Sequence, residues 1–120
     1  MVTPDQIAAQ LPPYSDEWEL VTERQYIPDI IEEICRAHYL FADYYDCFSY
    51  LFYRKDAAGV AEALYRYCKN FIRYKAETVR RQTTALPTGI VYRGLGDCKH
   101  YALFSAGVID SLNRLYGCGF

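Results

Sequence analysis

Apolar positions recur at helical spacing through most of this chain, and the breaks between the periodic stretches carry recognisable punctuation. In "TPDQIAAQLPP" Thr3 can cap, Pro4 suits the first helical turn and Gln6 completes a capping box, with Pro12 and Pro13 closing the helix. From Ser15, "SDEWELVTER" reads as a second short helix with acids in its first turn, where the helix dipole favours them. Pro28 opens the longest pattern. Ile27, Ile30, Ile31, Ile34, His38, Phe41, Tyr45, Phe48 and Phe52 mark one face of a helix, straight or kinked, that runs to about residue 54. Asp56 caps the next helix, "AAGVAEALYRYCKNFIRYKAE", with Val60, Leu64, Cys68, Phe71 and Ile72 turned inward. After residue 77 the period fails, and "TVRRQTTALPTGIVYRGLGD" reads as a long loop of the kind that usually carries function. A last helix starts at Cys98 and ends near Gly117, a suitable C-terminal cap.

These patterns predict an all-α fold of four to six helices in a single domain spanning residues 1–120, a length sufficient to bury a core. The chain is 52% hydrophobic and 23% charged, without repeats or low-complexity tracts, which is a globular composition. The most apolar stretch, around 37–53, is broken by Asp43 and Asp46 and makes a poor membrane span. "MVTPDQ" has neither a basic nor an apolar leader region, so the expectation is a cytoplasmic protein without a membrane partner.

The net charge of −2 implies no polyanion partner, but its distribution is uneven. Residues 1–60 carry 11 acids and 4 bases (net −7), while residues 61–120 carry 4 acids and 9 bases (net +5). Packing of complementary halves explains this asymmetry. Arg66, Lys69 and Arg73 form a basic stripe beside Tyr65 and Tyr67, a combination that can stack single-stranded nucleic acid. No nucleic-acid-binding signature accompanies the stripe, and a solvated helix face accounts for it. The run "YLFADYYDCFSYLFY" reads as aromatic core with hydroxyls reaching the surface, and His38 as a core histidine.

Five cysteines at 35, 47, 68, 98 and 118 lack zinc-ligand spacing, and a disulfide set would leave one over. No metal or other cofactor is expected. Four of the thiols read as reduced fillers of apolar faces. Cys98 differs. Asp97 is a strong N-cap, which sets Cys98 at the first helical position, where the helix dipole and nearby Arg93 and Lys99 favour a thiolate and Asp97 opposes it. Gly94 and Gly96 permit a sharp bend that leaves the sulfur accessible, and backbone N–H groups at a helix start are donors for an oxyanion. Spacing alone leaves a nucleophile and a structural thiol both open.

"YRGLGDCKHYALFSAGVIDSL" resembles the nucleophile segment of the transglutaminase-like superfamily, the papain-like cysteine acyltransferases and proteases, in which a G-x-G-D-C run opens a small and apolar helix. With its lead-in, "YRYCKNFIRYKAETVRRQTTALPTGIVYR", the resemblance covers residues 60–117. It implies the helical lobe of such a domain without its β-sheet, with Cys98 attacking a peptide or glutamine amide of a polypeptide substrate. Gln82, Tyr92, Gly96 and Asp97 would then line the oxyanion or acyl site. In that family a His and then an Asp follow the Cys on strands of a small sheet. Neither follows Cys98 here, and His100, two residues along the helix, points to nearly the opposite side. A truncated enzyme, inactive by itself, is therefore expected, the rival being a non-catalytic helical assembly module. The last helix is apolar nearly all round, from Tyr101 to Tyr116, so the expectation is a homo-oligomer joined through residues 98–116.

Overall fold

The structure is a computed structural model, and it describes residues 1–13, 18–22, 27–77 and 82–120. Among these the fold is all-α, with six α-helices, one 3-10 turn and two short two-stranded ladders. Helix α1 (Pro4–Ala8) is bracketed by the predicted capping box, in which Thr3 Oγ1 accepts from the Gln6 N–H and Gln6 Oε1 accepts from the Thr3 N–H. The helix expected from Ser15 is not formed over its described part. Trp18–Thr22 is strand β1, paired antiparallel with β3 (Gln82–Ala85), and the remaining residues of that stretch lie outside the described ones. Trp, Val and Thr favour the pleated state, and the partner strand supplies what a ten-residue window could not reveal.

The long periodic segment is broken into α2 (Ile27–Leu40), α3 (Ala42–Phe48) and the 3-10 turn Ser49–Phe52. The break falls at Phe41, and it rotates the two halves so that Tyr45, Phe48 and Phe52 enter the core while Ile31 is left exposed. Helix α4 (Ala57–Phe71) starts on Asp56, whose Oδ1 accepts from the Gly59 N–H at 2.7 Å. Its inward residues are Val60, Leu64 and Tyr67, with Cys68 and Phe71 half-buried. Tyr67 therefore belongs to the core and not to the basic stripe.

The expected long loop is mostly regular. It holds β3, helix α5 (Pro87–Arg93) and β4 (Leu95–Gly96), which runs parallel to β2 (Arg73–Tyr74). Periodicity could not show α5 because Pro87 to Val91 are buried on all sides and display no polar face. Gly94 closes α5 in the left-handed region at φ 62°, which a side chain would oppose. Helix α6 (Cys98–Tyr116) matches its predicted span and ends on Gly117 at φ 61°.

The core is aromatic. Phe104 of α6 stacks on Phe48 and on Tyr67, with ring centroids 5.8 and 5.2 Å apart, and meets Tyr45 and Phe52 edge-on. Leu103, Val108 and Leu112 continue the buried stripe of α6, whereas Ala102, Ala106, Leu115 and Tyr116 are exposed. The helix is thus covered on one side and open on the other. Cys35 and Cys47 are exposed and Cys68 and Cys118 half-buried, so two of the four thiols expected to fill apolar faces do not. No helix among the described residues is long and apolar enough to cross a membrane.

Candidate functional site

The start of α6 gathers a largely buried polar cluster of Glu77, Asp97, Lys99 and His100. Asp97 is the N-cap in extended backbone, and its carboxylate accepts from the N–H groups of Lys99 and His100. His100 reaches back, its Nδ1 accepting from the Asp97 N–H at 3.0 Å. This is a capping box with histidine in the place usually held by Glu or Gln. Gly96 makes it possible: a Cβ there would stand 2.7 Å from the His100 Cβ.

Beneath the cap lies a buried cation. The Lys99 ammonium is 6% exposed and donates to Asp97 Oδ2 and to Glu77 Oε1, each at 2.5 Å. Glu77, Asp97 and His100 bring one ligand atom each within 4.8 Å of one another, the spacing a metal ion would need. Lys99 already places one positive charge between the two carboxylates and offsets one of their two negative charges. Burial raises the Asp97 carboxyl, but the Lys99 hydrogen bond and the Lys99 charge outweigh it and hold Asp97 below the usual carboxylate range. Burial lowers the His100 imidazole below its ordinary value, against an opposing pull from Asp97. A neutral ring is what the accepting Nδ1 requires.

Cys98 stands on top of this cluster and is exposed. Helix starts leave their first N–H groups without intrahelical partners. Here the cap takes those of Lys99 and His100, and the Tyr101 N–H bonds the Asp97 carbonyl in the ordinary helical way. Among the described residues the Cys98 N–H is left without an acceptor, beside its own thiol and at the positive end of a 19-residue helix. A sulfur nucleophile and a backbone N–H on the same residue are the two groups that attack on a carbonyl and binding of its oxyanion require.

Neither histidine in the chain can serve that thiol as a base. His100 is buried beneath the cap with Nδ1 committed to it. His38 Nε2 lies 3.4 Å from Asp110 Oδ2, twelve residues along α6 from Cys98, about 18 Å at the helical rise. Of the other residues singled out from sequence, Gly96 and Asp97 adjoin Cys98 and act by shaping the cap. Tyr92 is exposed on α5 and lines a separate cleft with Leu11, Pro12 and Val91. Gln82 pairs with Thr22 in the β1–β3 ladder, and its side chain lies outside the described atoms. Sequence reasoning missed Glu77 and the burial of Lys99. An acid 20 residues before the cap, across a stretch without periodicity, gave no signal of contact. The chain matches no family model, no curated protein and no solved structure.

Proposed function

We propose that this chain carries the nucleophile half of a transglutaminase-like cysteine acyltransferase or hydrolase acting on amide bonds of polypeptides. The observation that carries the reading is the exposed Cys98 at the first position of α6, with its own N–H unclaimed among the described residues. The resemblance of "YRGLGDCKHYALFSAGVIDSL" to that superfamily supplies the reaction class. In the first step the Cys98 thiolate attacks the carbonyl carbon, and the carbonyl oxygen becomes an oxyanion facing the Cys98 N–H. Collapse of that intermediate expels the leaving group and leaves an acyl thioester on Sγ. Water or an amine then takes the acyl group and restores the thiol.

An amine leaving group must be protonated as it departs, and neither His38 nor His100 reaches Cys98. Amide cleavage therefore needs a proton donor that neither histidine supplies. By themselves these residues acylate with activated esters, whose leaving groups depart as anions, and do not turn over amides. Five free thiols suit a reducing compartment, and a cytoplasmic setting accompanies this reading.

Incubation with p-nitrophenyl acetate tests the reading. The expected result is one acetyl group on Cys98 by peptide mass spectrometry and stoichiometric release of p-nitrophenolate, both abolished in Cys98→Ala. Acetylation spread equally over Cys35, Cys47 and Cys98 would defeat it, since all three are exposed and only one has the helix end.

A further inference from the structure

Two faces of the molecule are apolar and uncovered, and their shapes and charges correspond. On α2, Ile31, Cys35 and Tyr39 follow one another at four-residue spacing, all exposed, with Ile31 at 55% and Tyr39 at 79%. They form a ridge about 12 Å long at the helical rise. Asp29 and Glu32 flank it, exposed and without a basic partner among the described residues, while Arg36 beside them is engaged by Glu33.

Between α4 and α6 lies an open groove of about 580 Å³, lined by Leu64, Tyr65, Cys68, Tyr101, Ser105 and Ile109. It runs along residues 61–69 of α4 and 101–109 of α6, eight helical steps on each wall, again about 12 Å. Lys69 borders the groove, and Arg73 and Lys75 follow just past the end of α4. All three are exposed and without a carboxylate partner among the described residues. The only acid on α4, Glu62, is taken by Arg66.

We propose that a second copy of this chain docks its α2 ridge into the α4–α6 groove. A row of side chains at four-residue spacing is the unit that packs into the furrow between two helices. In this docking, three bases with no carboxylate partner among the described residues meet Asp29 and Glu32, which have no basic partner among them. That match fixes the choice of occupant, because the acid-flanked ridge and the base-flanked groove exist on the same polypeptide. When both ridges dock the pair is two-fold and closed; when only one docks the contact is heterologous and extends. It involves α2 and the flank of α6, not the thiol at its start, and stands independently of the chemistry at Cys98.

Sedimentation velocity on residues 1–120 tests it, using Ile31→Arg on the ridge and Lys69→Glu beside the groove. Both positions are exposed, and circular dichroism is the check that each variant keeps its helices. The wild-type chain is expected to self-associate. Each variant alone is expected to bind itself at least about tenfold more weakly, the drop that follows disruption of a residue central to an interface. A mixture of the two variants is expected to recover association, since each brings the intact half that the other lacks. A monomeric wild type, variants that associate like the wild type, or a mixture that stays monomeric would each overturn the proposal.

Discussion

Gly107 occupies the point where α6 comes closest to the ring of Tyr45. A Cβ there would fall 2.5 Å from Tyr45 Cζ, and that ring is fully buried among Phe48 and Phe104. Alanine favours a helix over glycine by about 1 kcal/mol, but the overpacking it causes here costs about 1–3 kcal/mol. Gly107→Ala is therefore expected to lower the denaturant midpoint, where propensity alone predicts a rise. His100 makes a second prediction at this scale. Its folded pKa lies below the ordinary 6.5, so the unfolded chain takes up the proton first as pH falls. The stability it contributes is complete above about 6.5 and declines progressively below it. Asp97, also depressed, adds to the decline at lower pH as its carboxylate is protonated. His100→Gln keeps an acceptor for the Asp97 N–H and removes the titration. Thermal melts of this variant are expected to stay flat between about pH 6.5 and 5, where the wild type declines.

Among the elements, those whose ends carry side-chain signals were legible in sequence. The Thr3–Gln6 box, the Asp56 cap and the Asp97–Gly117 limits of α6 all stand where local chemistry set them. The elements that were not legible depend on distant partners. Strand β1 exists through pairing with residues some 60 positions later, and α5 is buried too completely to show a polar face. The site divides in the same way. Asp97, Cys98 and their place on α6 follow from the sequence, whereas the Glu77–Lys99 bond needs the parallel β2–β4 pair that brings Lys75 to Gly96. Lys99 ties the start of α6 to the chain that follows α4. Removing it as Lys99→Met takes the ammonium from between Asp97 and Glu77, a destabilisation of about 3–5 kcal/mol expected in urea unfolding. Glu77→Gln, which keeps a hydrogen-bond acceptor for Lys99, is expected to cost less.

Across the whole molecule, one aromatic core around Phe104 holds the buried side of α6 and leaves its opposite side open, with Cys98 at one end. A second network fixes the other end of the same helix. Ser111 Oγ, completely buried, lies within hydrogen-bond distance of Asp46 Oδ1 and Ser49 Oγ, and Arg114 pairs with Asp46 and Asp110. Both ends of α6 are thus anchored by charge, which keeps the first turn, and the thiol on it, in a fixed setting. That setting distinguishes Cys98 from the other exposed thiols, and the decisive experiment is iodoacetamide labelling at pH 7 read by site-resolved mass spectrometry. Cys98 is expected to react faster in the folded chain than in urea, while Cys35 and Cys47 react no faster folded than unfolded. Folding that slows Cys98, or leaves it level with Cys35 and Cys47, would show that the helix start confers no special reactivity.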